Sequence, residues 1–242
     1  MNLIIGRKPV LEAINSGEEL QQIYILFGQQ GAIITAIRVA AKKRGIKCQE
    51  VPADKFRSVT KEANAQGVAA IKSEQKFFSL DDIISSTKNS QYPFIVILDE
   101  IQDTHNVGAI LRTAECCGVD GVLITKRNSA PVNATVAKTS AGATEHVKIC
   151  QVSNLAQGIK ELKENGFWIV GSSLNDSKNY TEIDYKIPIA LIVGNEEKGM
   201  RRLTAESCDF LVNIPMKGKI QSLNVSVAAG VLMFEILRQR GF

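Results

Sequence analysis

Polar side chains at a strand–loop–helix junction near the C-terminus are the first candidates for chemistry in this 242-residue chain. A β-branched run ends at Ile214-Pro215, where proline removes a backbone donor and so indicates the end of a strand. Ser222 and Asn224 follow a basic loop and stand just before an apolar pattern with helical spacing over 225–240. Both residue types are common helix N-caps, so capping is one interpretation of the pair and a role in a binding site is the other.

Two further loops carry polar groups after apolar strands. Asn106 begins a helical pattern that contains Arg112 and Glu115, which lie three apart and could form only a surface pair. As a natural helix N-cap, Asn106 also has a purely structural interpretation. In the other loop, Gly194 starts a tight glycine turn whose backbone could approach a ligand closely, with the carboxylate of Glu196 beside it.

Several classes of site are excluded by spacing. Gly194 and Gly199 suggest a phosphate-binding P-loop, but Met200-Arg201 stands where that motif needs Lys followed by Ser or Thr. No G-x-G-x-x-G follows a strand, so a dinucleotide site gains no support. The five cysteines show no C-x-x-C pairing and the two histidines lack metal-ligand spacing, which argues against a metal site or a disulfide framework.

The location of the protein is indicated by what the sequence lacks. No run of eighteen apolar residues is present, so we expect no membrane span. The apolar run before Arg7 is too short for a secretory signal, and unpaired cysteines suit a reducing compartment. We therefore expect a cytoplasmic protein.

The positions of these loops follow from the elements around them. From residue 94 onward strands alternate with helices, and nearly unbroken apolar strands at 95–98 and 189–193 indicate a parallel sheet covered on both faces. Ligands of such sheets bind beyond the carboxyl ends of the strands, so the relevant loops follow Leu98, Gly171, Val193 and Ile214. The predicted strands are 94–98, 121–124, 167–171, 189–193 and 210–214, and the predicted helices are 107–117, 133–141, 155–165, 200–207 and 225–240.

A smaller α/β unit is predicted for residues 1–75, with helices at 7–15 and 31–43 and strands at 23–27, 46–51 and 68–71. A polar linker with one short helix at 80–85 is predicted for 76–93, which leaves 94–242 as the second domain. Residues 1–75 hold 11 Lys and Arg against 7 Asp and Glu, whereas the remainder holds 18 of each. This excess suggests a polyanion such as RNA as partner, and a lysine-rich solvated surface is the alternative.

Together the three loops resemble the three signature motifs of the SpoU (TrmH) branch of the SPOUT RNA methyltransferases. The motifs correspond to residues 106–115, 191–200 and 214–228. Residues 6–14 and 66–70 resemble the ends of the small RNA-binding domain that precedes many of these enzymes, so the resemblance covers nearly the whole chain. Two positions depart from the family pattern: Ala65 stands where His is common, and Thr104 where Pro is common.

The resemblance implies an α/β chain whose C-terminal SPOUT domain forms a trefoil knot around a parallel sheet, preceded by a domain similar to ribosomal-protein RNA-binding folds. It implies methyl transfer from S-adenosylmethionine to a ribose 2′-hydroxyl, most closely that of a guanosine in large-subunit ribosomal RNA. The alternatives are the same chemistry on transfer RNA, or an RNA-binding or ribosome-assembly protein without catalysis. The family also implies a homodimer with residues of both subunits near each site.

The resemblance assigns roles to individual residues. The residues expected to bind the cofactor are Gly194, Ile214, Leu223, Ser172, Leu174 and Met216. The expected catalytic residues are Arg112, Asn106, Glu196, Ser222 and Asn224. An arginine side chain is a poor general base because it is almost always charged. We therefore favour Arg112 as an electrostatic stabiliser over Arg112 as a base. Candidate RNA phosphate contacts are Lys42, Lys43, Arg44, Lys55, Arg57 and Lys61.

Overall fold

A computed structural model describes residues 3–18, 20–60, 65–72, 76–174, 176–219 and 222–242. The chain divides into two compact units, Met1–Gln75 and Lys76–Phe242. None of the helices in the described ranges has the length and apolarity needed to cross a bilayer.

The first unit is the predicted small α/β unit. Its elements are β1 (Leu3–Ile5), α1 (Arg7–Ser16), β2 (Leu20–Leu26), α2 (Ala32–Lys43), β3 (Lys47–Val51), α3 (Ala53–Val59) and β4 (Val68–Lys72). The sheet order is β1-β4-β2-β3, with only β2 and β3 parallel. Helices α1 and α2 pack on one face through residues such as Ile14 and Ile37, and Phe56 of α3 packs on the other face.

The second unit begins with α4 (Leu80–Ser86), inside the stretch predicted as a linker. Ser79 and Asp82 form a capping box at its start, and Leu80, Ile83 and Ile84 are buried. The short helix predicted at 80–85 is present as α4, and its apolar residues at i, i+3 and i+4 pack into the core of the second unit.

The remaining elements form a three-layer α/β/α unit. They are β5 (Phe94–Asp99), α5 (Thr104–Cys116), β6 (Gly121–Thr125), α6 (Ala134–Thr139), β7 (Ile149–Val152), α7 (Leu155–Glu164), β8 (Trp168–Ser172), β9 (Lys178–Asn179), β10 (Ile189–Gly194), α8 (Arg202–Glu206), β11 (Phe210–Asn213) and α9 (Val225–Gln239). Every strand pairing recorded in this sheet is parallel, and the order is β7-β6-β5-β10-β8-β11-β9. The predicted parallel sheet is confirmed.

Both faces of this sheet are buried, as the apolar strands predicted. Along β10, Leu191 and Val193 face the cluster formed with α5 and α9, whereas Ala190 and Ile192 face the cluster formed with α4 and α7. Alternate residues of one strand thus supply two cores, which is why the sequence shows no polar alternation there.

The end of α9 is fixed by Arg240. Its guanidinium donates to the carbonyl oxygens of Tyr92 at 2.7 Å, Tyr185 at 2.9 Å and Ile187 at 2.9 Å. It also lies over the ring of Phe94, 5.2 Å from the centroid. One side chain therefore ties the C-terminal helix to the segment before β5 and to the segment before β10.

Replacing Arg240 by Met is expected to lower the free energy of unfolding of the second unit by about 3 kcal/mol, because several buried carbonyls lose a charged donor. Chemical denaturation followed by circular dichroism measures this change. Arg202→Met is the matched control, since Arg202 makes only an exposed pair with Glu206, and it should cost less than about 1 kcal/mol. If both variants lose the same free energy of unfolding, the hydrogen bonds of Arg240 do not contribute to stability as described.

Candidate active site

Four strands that lie side by side position the site. In the sheet order β5, β10, β8 and β11 are neighbours, and parallel strands present their carboxyl ends at the same edge. The loops after these four strands are those selected from the sequence, and the structure confirms that they meet at one edge. The arrangement arises because β10 lies between β5 and β8 rather than beside the strand that precedes it in the chain.

A cavity of about 600 Å³ opens among these loops. All six residues expected to bind the cofactor line it: Gly194, Ile214, Leu223, Ser172, Leu174 and Met216. Glu196 and Ser222 line it as well. Its size and its mixture of apolar walls with polar side chains are typical of a site for a small molecule.

Gly194 is required by the close return of the chain after β10. A Cβ at this position would overlap the backbone of Gly199 and Met200. Asn195 and Gly199 exchange two backbone hydrogen bonds of 3.0 Å and 2.9 Å, and Gly199 has a φ of 67°. The loop thus forms a narrow turn that only glycine at both ends allows.

The side chain of Asn195 also stabilises this turn, a role that was not predicted from the sequence. Its Oδ1 accepts from the amides of Glu197 at 3.0 Å and Lys198 at 3.1 Å, and its Nδ2 donates to the carbonyl of Glu100 at 3.0 Å. An Asn followed by polar residues and Gly is typical of an Asx-turn, so the role of Asn195 could have been predicted from the sequence.

A chain of side-chain hydrogen bonds connects the three motif loops. The amide of Asn106 donates to Glu196 Oε1 at 2.9 Å, and Asn106 Oδ1 accepts from Asn224 Nδ2 at 3.0 Å. Asn224 Oδ1 in turn accepts from the amides of Ser226 at 2.9 Å and Val227 at 3.4 Å. Each amide must be oriented as described for all of these bonds to form.

The capping interpretation of Asn224 is confirmed, because Asn224 caps α9, and its Nδ2 also donates to Asn106. The capping interpretation of Asn106 was wrong: the N-cap of α5 is Asp103, and Asn106 lies within the first turn. The predicted start of this helix at Val107 was correspondingly late. Because Asn106 does not cap the helix, its side-chain amide can bond to the two neighbouring loops.

A second link between loops is ionic. Asp99 at the end of β5 is fully buried, and Arg201 donates to it through Nε at 2.8 Å, through Nη2 at 2.7 Å and through its backbone amide at 3.1 Å. Arg201 Nη1 lies 3.3 Å from Glu100 Oε1. This pair holds the far end of the Gly194 loop against β5, and no motif spacing in the sequence indicated it.

Arg112 and Ser222 differ in where they lie. Ser222 is exposed at the cavity, whereas Arg112 is exposed on α5, two turns beyond Asn106, and does not line the cavity. The expected surface pair of Arg112 with Glu115 is not among the ion pairs of the described residues. Within one chain, the structure therefore brings Asn106, Glu196, Ser222 and Asn224 together and leaves Arg112 apart.

The candidate phosphate contacts do not share one face. Lys42 and Lys43 end α2, whereas Lys55 and Arg57 lie on α3, which packs on the opposite side of the small sheet. Arg44 donates to the carbonyls of Ile14 and Gly17, so it also secures the end of α1. Lys61 lies outside the described residues.

Two thiols of the second unit, of partly buried Cys208 and buried Cys150, are poor candidates for a nucleophile. Burial raises the pKa of Cys208 to about 12 and that of Cys150 to about 11, so both stay protonated at neutral pH. No group of His, Cys, Asp and Glu side chains in the described part of the chain is arranged to hold a metal ion. The polar side chains that line the cavity are therefore amides, hydroxyls, carboxylates such as Glu196, and the ammonium group of Lys198.

Comparison with known families decides the identity of this arrangement. The SpoU rRNA Methylase family matches residues 93–234, and a substrate-binding domain of RNA 2′-O ribose methyltransferases matches residues 3–78. The chain belongs to the SpoU methylase family. The match spans all three motif loops and more than half of the chain.

Relatives of this SpoU family member include proteins named as TrmH family tRNA/rRNA methyltransferases. One, YacO of Bacillus subtilis, is 41% identical over 98% of this chain and 95% of its own length, and one of Staphylococcus haemolyticus is 42% identical over 98% and 96%. An AdoMet-bound rRNA methyltransferase from Sinorhizobium meliloti has 27% identity and a TM-score of 0.66, covering 98% of this chain and 86% of that one. A TrmH/SpoU tRNA-modifying enzyme of A. aeolicus has 36% identity and a TM-score of 0.58, covering 66% and 82%.

The two departures from the family pattern have structural settings. Thr104 is the first residue of α5, where proline is favoured because its missing amide proton is not needed. Asp103 supplies the cap, and its side chain accepts from the amide of His105. Ala65 is buried, 3% exposed, in the first unit.

Gly194→Ala is expected to destabilise the second unit by about 3 kcal/mol, because the new methyl group overlaps backbone that cannot move as a side chain can. Gly158→Ala is the control with the opposite sign. Gly158 lies in α7, and a Cβ there would make ordinary contacts at 3.7 Å, so helix propensity should stabilise the variant by up to about 1 kcal/mol. Thermal and chemical denaturation measure both, and a neutral Gly194→Ala would show that the turn opens at little cost.

Proposed function

We propose that this protein transfers a methyl group from S-adenosylmethionine to a ribose 2′-oxygen of RNA, with a guanosine of large-subunit ribosomal RNA as the target. The observation that carries the proposal is the hydrogen-bonded chain Glu196–Asn106–Asn224 at the rim of the cavity. It joins the three motif loops of a SpoU family member beside a cavity of suitable size. The proposed setting is the cytoplasm.

The cavity fits the cofactor by the chemistry of its lining. Gly194 offers backbone that a ligand can approach, Ile214 and Leu223 offer apolar surface, and Ser172 offers a hydroxyl. These residues would hold S-adenosylmethionine, which supplies an electrophilic methyl group when bound. The S. meliloti enzyme similar to this chain is described as AdoMet-bound.

The polar chain would orient the acceptor side of the site. Glu196 is fixed by Asn106, so its second carboxylate oxygen is available to accept from a ribose hydroxyl. Ser222 stands at the same cavity as a further donor and acceptor. Much of the rate would come from alignment, which such fixed groups supply.

Arg112 would stabilise the negative charge that develops on the 2′-oxygen and hold an adjacent phosphate. Since it does not line the cavity of its own chain, it would reach the cavity of a partner. Thr113 of α5 lies beside Gly230 of α9, and α9 exposes Val227 and Phe234, 51% and 53%, seven residues apart. We infer that these apolar residues form a homodimer interface next to Arg112.

Arg112→Ala should leave the dissociation constant for S-adenosylmethionine unchanged while turnover falls at least about a hundredfold, because the residue acts only on developing charge. Isothermal calorimetry and single-turnover methyl transfer measure the two quantities. Arg202→Ala removes an exposed arginine of the same unit and serves as the control. Turnover near that of the wild type would remove Arg112 from the mechanism.

The dimer itself has a separate test. Coexpressed Arg112→Ala and Glu196→Ala chains should regain activity in the hybrid, because one of its two sites then combines both intact residues. Activity no higher than that of the parents would show that Arg112 and Glu196 act within one chain.

The reaction is tested by incubating the protein with labelled S-adenosylmethionine and either ribosomal or transfer RNA, followed by digestion to nucleosides. We expect label in 2′-O-methylguanosine from large-subunit ribosomal RNA. Label found only on a base, or on no RNA, would overturn the assignment. The absence of transfer would favour an RNA-binding or assembly protein, although the sequence contains all five expected catalytic residues, Asn106, Arg112, Glu196, Ser222 and Asn224.

Transfer RNA is the second candidate substrate, because relatives carry the name tRNA/rRNA methyltransferase and the A. aeolicus protein is described as tRNA-modifying. The substrate-binding domain at 3–78 supports ribosomal RNA by analogy with ribosomal-protein folds. Mapping methylated riboses in both RNAs from cells that lack the gene separates the two.

A further inference from the structure

The first unit exposes an aromatic side chain on a short loop between β2 and α2. Phe27 is 57% exposed and belongs to neither apolar cluster of the unit. Its backbone is nevertheless fixed, because its amide donates to the carbonyl of Val51 at 2.9 Å. Gly28 and Gly31 follow with φ values of 83° and 116°, which residues other than glycine rarely adopt.

A network of hydrogen bonds connects this loop to Arg7 and Gln66. Arg7 Nε donates to the carbonyl of Gln66 at 3.0 Å, its backbone amide donates to Gln66 Oε1 at 3.3 Å, and its Nη2 donates to Gln29 Oε1. Gln29 lies so close over Gly67 that a Cβ there would overlap its side chain. Gln66 itself takes a φ of 48°, an unusual conformation for a residue other than glycine.

The residues of this network come from the two family segments that the active site does not use, 6–14 and 66–70. These segments are distant in sequence and converge on the Phe27 loop. The network fixes a surface loop although Phe27 belongs to no apolar cluster, and residues that bind ligands are often carried on loops that a rigid scaffold positions. An exposed aromatic ring held rigidly in the unit that carries the positive excess suits a nucleic acid base.

We propose that Phe27 is a stacking platform for an unpaired RNA base, and that Arg7, Gln29 and Gln66 position its loop. The proposal rests on the proposed function, because it names the part of the RNA that the first unit contacts. Unpaired bases expose a face on which an aromatic side chain can stack, whereas the faces of paired bases are covered by their neighbours.

The basic residues of the unit would act differently. Lys42 and Lys43 lie at the far end of the twelve-residue helix α2, about 16 Å along its axis from the loop. Contacts of these lysines with phosphate release counterions and depend on salt, whereas stacking on Phe27 does not. The two contributions can therefore be measured separately in one protein.

The test compares full-length Phe27→Ala with Phe27→Trp, which keeps an aromatic face. Val39→Ala is the control, because Val39 is an apolar residue of α2 that is 51% exposed. The probes are a fluorescein-labelled RNA hairpin with an unpaired loop and the same stem as a closed duplex, titrated by anisotropy over a range of salt. Phe27→Ala should weaken hairpin binding about tenfold with an unchanged salt slope, and Phe27→Trp should bind as the wild type.

Each other outcome overturns the proposal. If Phe27→Ala binds the hairpin as tightly as Val39→Ala does, Phe27 does not stack on a base. If Phe27→Ala loses equal affinity for hairpin and duplex, Phe27 does not recognise unpaired bases. If sedimentation shows a changed oligomeric state, Phe27 is a contact between protein chains. Methyl transfer by the wild-type protein is measured in parallel on ribosomal and transfer RNA. Failure of that transfer with the hairpin effect intact would refute the proposed reaction and leave the stacking surface standing.

Discussion

The candidate site depends on one amide. Asn106 donates to Glu196 and accepts from Asn224, so a single side chain on α5 connects the loop after β10 with the start of α9. An amide can do both because it carries a donor and an acceptor on one planar group. A carboxylate at this position would repel Glu196, and an alanine would leave three loops without a common partner. The cavity wall is therefore assembled by a residue that does not itself line the cavity.

The remaining supports of the site act on the backbone. The Gly194 turn is closed by its own hydrogen bonds and by the Asn195 side chain, and the ion pair of buried Asp99 with Arg201 fixes its far end. Removal of Arg201 would leave the buried carboxylate of Asp99 without its charged partner, which costs more than breaking an exposed pair. A loop held at both ends presents a cavity that exists before any ligand arrives, which lowers the entropic cost of binding.

The sequence predicted the parts of the fold that have a strong local pattern. Unbroken apolar strands predicted a buried parallel sheet, and the four loops at its binding edge were selected correctly. The sequence did not predict α3 or β7, which are short, and it placed the N-cap of α5 at Asn106 rather than at Asp103. The Asp99–Arg201 pair joins residues that lie 102 apart, and such contacts leave no periodicity. A trefoil knot depends on how the chain passes through its own loops, which no local pattern in the sequence shows. The knot is therefore expected from the family resemblance alone.

The insertion of β10 between β5 and β8 has a consequence for synthesis of the protein. β5 pairs with β10 and β6 only, so the seven-stranded sheet stays open on that side until residues 189–194 leave the ribosome. Until then the edges of β5 and β8 that will face β10 are unpaired and rich in β-branched residues, which are the features that promote association between chains. The strand that creates the binding edge thus also pairs with β5 and β8, and a chain that ends before it lacks both the edge and this pairing.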